Sequence, residues 1–331
     1  MDGKLLGLGS LAGAGAALAL HRLLVQRLWL DVAARGLRRY LADSARGEIR
    51  PADLVLDIGG GDRPHIRADV VCDRYEVSWE RSAPLLRDRP LVIGDINHLP
   101  FKRAAFDYVI SQHLMEHLPE PETACRELAR IGRRGLIRTP SPLAEKLISR
   151  DVHRWYVSSE AGQLVFRQKE AAFFDEGLTR GLWSDASFWH WFGTRVDAME
   201  TVHRWSGEIQ HRVERRRSAS WDGEPFLKDD DPEEAKRGPG VRHKLRGIGT
   251  RWAGRAYRQG LLRRPRAVDL EALLACPRCG GAITLAATSA SCEGACSSVY
   301  PVRLGVPIML IEEATSTRQP TPIRTFAATG G

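Results

Sequence analysis

The stretch "LVLDIGGGDRPH", residues 54–65, decides how the rest of the chain reads. An apolar run ends on an aspartate, and three consecutive glycines follow. Runs of this kind are strands buried on both faces, as in parallel sheets. Glycine has no Cβ and tolerates positive φ, so a chain can bend sharply there and let a ligand lie against its backbone. At the carboxyl end of a parallel strand, that is where nucleotide-like ligands are held.

Three more stretches extend the pattern. "ADVVCD" (68–73) is a second strand ending in an acid, where a carboxylate can accept two hydrogen bonds from ribose hydroxyls. "LVIGDINHLPF" (91–101) ends a third strand in Asp95, placed to approach an adenine edge, and "FDYVISQHLMEHL" (106–118) is a fourth strand running into a polar turn. Strands are expected over 53–58, 69–73, 91–95, 106–111 and 134–139. A helix is expected over 119–131, where Pro119 and Pro121 lie at the start, acids in the first turns and Arg130 near the end. Strands alternating with helices imply a parallel α/β sheet. Only ten residues, 59–68, separate the first two strands, fewer than a helical crossover needs, so that helix is reduced to a turn or replaced by a loop. Further along, 143–150 reads as helix, 163–167 as strand and 205–216 as one late strand.

The four stretches, in order and spacing, resemble the class I S-adenosylmethionine-dependent methyltransferases of the small-molecule, type 11-like kind, over about residues 50–140. The resemblance implies a Rossmann-like sheet in which Asp57, Gly59 and Gly61 hold the methionine end of S-adenosylmethionine. It implies that Asp73 binds the ribose, Asp95 and Ile96 the adenine, and that Gln112 or His113 lines the underside. Arg63 stands where the family usually carries another glycine, and a nicotinamide dinucleotide reading fares worse: the third glycine of G-x-G-x-x-G is missing and the first helix nearly absent, leaving a pyrophosphate little to bind.

Four of the six cysteines crowd into "CPRCGGAITLAATSASCEGAC", 276–296, giving C-x2-C, twelve residues, then C-x3-C. Cys276, Cys279, Cys292 and Cys296 can close a tetrahedral structural Zn2+ site with no position left for water. With "LLACPRCGG" and "YPVRLGVPIML", the segment 272–311 resembles the zinc-ribbon family that includes the activator subunit of tRNA, rRNA and release-factor methyltransferases. That resemblance implies a built-in stabiliser or a substrate-docking module. Reduced thiolates favour the cytosolic side of a membrane.

The +8 net charge is concentrated: residues 241–266 hold nine Lys/Arg and no acid, and removing them leaves about −1. Any attraction to RNA phosphates or an anionic membrane therefore sits in that arm. At the N-terminus, 16 uncharged residues (5–20) run into a segment with Leu20, Leu23, Leu24 and Leu28 on one helical face. A membrane anchor, an interfacial helix and a helix packed on the domain all fit. The expected organisation is an N-terminal helix (1–30), a methyltransferase domain (31–220), an acidic linker and basic arm (221–268), a zinc ribbon (269–312) and a tail (313–331).

On the acceptor side, His153 is the best-placed general base, with Trp155 and Tyr156 as walls and His113 and His117 as alternatives. The aromatic group at 183–192 reads as a lid, an acceptor pocket, a dimer patch or core. The first reading is methyl transfer to a small-molecule, lipid or glycan-type acceptor. RNA or protein methylation, and a non-catalytic scaffold, are the alternatives, and the oligomeric state is open.

Overall fold

The computed structural model describes residues 47–62, 64–78, 84–148, 150, 152–169, 182, 188, 191–192, 195–216 and 266–316. The expected N-terminal helix and acidic linker, the tail beyond Ser316, Arg63 and most of the aromatic group lie outside these residues, as does the basic arm apart from Arg266. The chain separates into one unit of residues 1–48 with 231–264 and another of 49–230 with 265–331; the architecture below is that of the second.

Four apolar runs form the strands their composition predicts: β1 (Val55–Ile58), β2 (Val70–Asp73), β3 (Leu91–Ile93) and β4 (Tyr108–Gln112). The first three are buried along their whole length, as expected of strands covered on both faces. With β5 (Arg134–Pro140) they make a parallel sheet in the order β3-β2-β1-β4-β5. The order reverses between β1 and β4, and that switch point opens a crevice at the carboxyl ends of the strands. Helix α1 (Pro121–Ile131) crosses from β4 to β5, with Pro at its start and Pro121, Ala124, Cys125, Leu128 and Ile131 buried on one face.

No helix occurs among the described residues between β1 and β2, in line with the short spacing. Side chains replace the helix's own hydrogen bonds. The Asp57 carboxylate accepts from the His65 N–H at 2.5 Å, Asp69 from the Val55 N–H at 3.0 Å, and the Arg89 guanidinium donates to the His65 and Ala68 carbonyls at 3.0 and 2.7 Å.

The expected single strand over 205–216 is corrected to the parts of two strands in two sheets. β8 (Glu200–Ser206) pairs antiparallel with β5, and β9 (His211–Glu214) pairs parallel with β7. Gly207, at φ +74, turns the chain between them. β7 (Gln163–Gln168) is the second arm of a hairpin with β6 (Trp155–Glu160), turned by Ala161 and Gly162, both at positive φ, as a two-residue hairpin turn requires.

The cysteine segment is not a free-standing bead. After a short helix, α4 (Leu270–Leu273; α2 is Pro142–Leu147 and α3 Val196–Met199), come β10 (Ile283–Leu285), β11 (Ser289–Cys292), β12 (Ser298–Arg303), β13 (Val306–Pro307) and β14 (Thr315–Ser316). Leu274 bridges Phe101, and Ile308 bridges Ile93 in parallel, with the Met309 N–H donating to the Ile93 carbonyl at 2.7 Å. The edge of β3 is thus covered by chain from the C-terminal segment, which removes an open template for aggregation. Val71, Leu85, Leu91, Ile93, Val306 and Ile308 form one apolar cluster across this seam.

Candidate active site

Asp57 stands at the switch point. It is buried, and its Oδ1 has no hydrogen-bond partner among the described residues. Burial pushes its carboxyl up to about 6, against the pull of the His65 N–H and the charges of His65 and Arg89. A buried acid with one oxygen uncommitted is built to receive a donor from a ligand. Two glycines next to it take left-handed conformations, Gly59 at φ +72 and Gly61 at +57. Between them, a Cβ on Gly60 would lie 2.6 Å from Asp57 Oδ2 and 2.9 Å from the Pro64 Cα. The glycine run is therefore dictated by close approach as well as by turn geometry.

The sequence-predicted residues converge in part. The Gly59 N–H donates to the Cys72 carbonyl at 2.9 Å, and the Gly61 N–H to Asp73 Oδ2 at 3.2 Å, which ties the glycine floor to the end of β2. Asp73 Oδ1 accepts from the Tyr75 N–H at 3.1 Å. Asp95 caps the 3-10 turn Ile96–His98 through the Asn97 N–H at 2.9 Å, and its other oxygen is paired with Arg74. Asp95 is therefore engaged on both oxygens, whereas the buried Asn97 Oδ1 beside it has no partner among the described residues. Ile96 is buried. Gln112 ends β4, and His113 follows at φ +53, a strained conformation for histidine, with its N–H donating to the Arg138 carbonyl.

His153 sits apart from this floor. It is buried beside His117, ring centroids 4.4 Å apart and edge to face, and its Nδ1 is paired with Glu145. Glu145 is presented by α2, which Ser141 caps by accepting the Ala144 N–H at 3.1 Å. Its second oxygen is paired with Lys169. Burial alone would raise the Glu145 carboxyl, but the His153 bond and the Lys169 charge outweigh it and hold the group below the usual range. Burial, with His153 beside it, holds His117 well below the ordinary imidazole range. Trp155, expected as an acceptor wall, is a core residue whose indole N–H donates to the Leu118 carbonyl at 2.6 Å. Tyr156 is half-buried under the Lys169 ammonium.

Sequence reasoning missed Arg74, Glu116, Glu145, Lys169 and Glu200. Arg74 joins Asp95 to Glu312 of the C-terminal segment, at 3.0 Å for the latter, and Glu200 pairs with Arg138 across β8 and β5. Only the acid at Glu116, inside "QHLMEHL", carried a visible signal.

The four cysteine sulfurs lie within 4.8 Å of one another. Cys276–Cys296, Cys279–Cys292 and Cys292–Cys296 are each 3.5 Å apart, near the roughly 3.8 Å edge of a tetrahedron with about 2.3 Å metal–sulfur bonds. The longer second knuckle thus still delivers Cys296 to the cluster. A donor set of four sulfurs fits a closed, structural ion.

Residues 66–137, from the loop before β2 through β5, match the methyltransferase domain family. Over that stretch the chain is similar to methyltransferase domains. Among curated proteins, none matches the chain. Solved structures similar to it include the complex between the Haloferax volcanii Trm112 methyltransferase activator and a protein described as a methyltransferase, at 21% identity over 38% of this chain and 58% of that one, TM-score 0.25. An S-adenosylmethionine dependent methyltransferase of Mesorhizobium loti matches at 14% identity over 38% and 63%, TM-score 0.25. The YcgJ protein of Bacillus subtilis matches at 21% over 28% and 47%, TM-score 0.23. The chain spans less than two thirds of the length of each. The glycine floor, Asp57–Gly61, lies just ahead of the matched segment, and Asp73, Asp95 and Gln112 fall within it.

Proposed function

We propose that the chain methylates a small-molecule, lipid or glycan-type acceptor with S-adenosylmethionine as donor, and that Cys276, Cys279, Cys292 and Cys296 hold a structural Zn2+. The observation that carries the donor reading is the uncommitted, buried Asp57 Oδ1 at the switch point beside glycines that admit no Cβ. Asp57, Gly59 and Gly61 would hold the methionine end, Asp73 the ribose, and Ile96 with the Asp95–Asn97 turn the adenine. Gln112 and His113 would close the underside. When bound, S-adenosylmethionine supplies a methyl group on a sulfonium; the chain's own part is to orient donor and acceptor in line and exclude water.

Two features support the zinc reading: the sulfur spacing, and the tight backbone around it. A Cβ on Gly294 would come within 3.1 Å of the Cys279 sulfur, and one on Gly281 within 3.1 Å of the Cys292 sulfur. The acceptor class rests on charge. Outside 241–266 the net charge is about −1, so a strong attraction for RNA phosphates would come from that arm rather than from the rest of the chain. Among the described residues no helix is long and apolar enough to cross a membrane, and residues 1–30 lie outside them.

The test is calorimetry with S-adenosylhomocysteine, followed by transfer of labelled methyl groups to a cell extract fractionated into lipid, RNA, protein and small molecules. Binding together with label in the lipid or small-molecule fraction supports the reading. Label in RNA or protein moves the acceptor class, and folded protein that binds no S-adenosylhomocysteine overturns the donor site.

A further inference from the structure

Three side chains that methyl transfer leaves unused meet between the end of β4 and the start of β6. Glu116 and His117 lie in the 3-10 turn Met115–His117, and His153 lies two residues before β6. One donor atom from each falls within 4.8 Å of the others, and all three residues are buried. The backbone around them is stitched together: the Arg154 N–H donates to the Glu116 carbonyl at 2.8 Å, and the Trp155 indole to the Leu118 carbonyl.

Glu116 is the telling group. It is 0% exposed, and neither carboxylate oxygen has a hydrogen-bond partner among the described residues. Its nearest cationic candidates, His113 Nδ1 at 3.6 Å and His117 Nε2 at 3.9 Å, stand beyond hydrogen-bonding range. The Lys169 ammonium feels the Glu116 charge but is paired with Glu145 and makes no hydrogen bond to Glu116. Buried carboxylates are paired, hydrogen-bonded or bound to metals; Glu116 makes no hydrogen bond among the described residues, and its two ion pairs are long ones to imidazoles rather than to a fixed cation. Glu145 in turn grips His153 Nδ1, the arrangement in which a carboxylate fixes an imidazole and leaves its other nitrogen for a metal.

We propose that Glu116, His117 and His153 form a metal site, in addition to the four cysteines, for a divalent transition cation of the zinc class. Two imidazoles and one carboxylate suit zinc, cobalt, iron or manganese better than magnesium or calcium, which prefer oxygen alone. Three protein ligands leave a coordination position open to water or to an oxygen of another molecule. The ligand role uses the same ring nitrogen that a general base would need, so it replaces the base role expected of His153 from sequence. The half-exposed His113, next to Glu116, marks the side from which an ion reaches the site.

Cobalt(II) is the probe. Full-length reduced protein, stripped with a chelator, is titrated with Co2+ while visible absorption and bound metal are measured. The expected result is a cobalt population with weak d–d bands and no thiolate charge transfer, beside any thiolate-bound population. Glu116→Gln and His117→Ala should each lower bound cobalt by about one equivalent and remove only that population, and Cys279→Ser should leave it in place. The proposal is overturned if wild-type protein takes up cobalt with the thiolate signature alone, or if Glu116→Gln keeps the full content and spectrum. Should the variants fail to fold by circular dichroism, X-ray absorption on zinc-loaded wild type decides. Nitrogen and oxygen neighbours support the site, and an all-sulfur shell sinks it. None of these readouts depends on methyl transfer.

Discussion

Asp57 makes ligand binding and folding respond to pH in opposite directions. Its carboxyl sits at about 6 in the fold, against an ordinary value of 3.8, because burial penalises the charged form. The folded state therefore holds this proton more tightly than the unfolded chain. The stability so gained is complete below about pH 4 and is lost as pH rises through about 6, a swing of about 3 kcal/mol. Binding runs the other way. If the free Oδ1 receives the ammonium of the donor's methionine end, only the ionised acid binds well. At pH 5 about a tenth of the molecules carry that form, so the Kd for S-adenosylhomocysteine should be about tenfold weaker than at pH 7. The neighbouring charges are His65, Arg89 and Asp73, so the control is Asp57→Asn, which keeps the shape and removes the titration. That variant should bind at least about tenfold more weakly at pH 7, from loss of a charged hydrogen bond, and should show a flat profile. Calorimetric Kd values across pH 5–7.5, with urea melts across pH 4–8, measure both effects. A wild-type Kd that does not change with pH, or an Asp57→Asn variant that keeps the slope, refutes the assignment of Asp57 to the ligand.

Gly60→Ala places a Cβ 2.6 Å from Asp57 Oδ2 and should cost about 1–3 kcal/mol by thermal melting while weakening S-adenosylhomocysteine binding. Glu145→Gln leaves the buried Lys169 ammonium without its carboxylate and should lower urea stability by about 3–5 kcal/mol, whatever it does to activity. A chelator added to reduced protein, or Cys292→Ser, should lower the melting temperature through the cysteine cluster, and re-added zinc should restore only the wild type. Met309→Pro removes the N–H that donates to the Ile93 carbonyl and should promote aggregation seen by light scattering, whereas Met309→Leu should not.

The sheet was legible because its information is local. Each strand from β1 to β4 is an apolar run bounded by an acid, a glycine or a polar turn, and the ten-residue gap after β1 told of a missing helix. Asp57, Asp73 and the glycines were legible for the same reason. What escaped depends on contacts between distant positions. The split of 205–216 into β8 and β9 is set by which neighbour each half finds, β5 or β7, and nothing in "WSGEIQHRVERR" names either partner. Lys169 and Glu145 are 24 positions apart, and neither looks unusual in its own segment. Asp95 was expected beside an adenine edge, and its ion pair with Arg74 leaves no mark at the level of spacing.

The seam along β3 has a consequence for how the protein is made. Glu312 lies 238 positions beyond Arg74, its partner, and the strand that Ile308 flanks leaves the ribosome well before Ile308 does. At roughly 5–20 residues per second, the nascent sheet waits on the order of 10–50 s with one margin bare before the far end of the polypeptide arrives to seal it. A chain that stops before Val306 would therefore be released with its adhesive side showing, and cellular quality control would meet it as a client for chaperones.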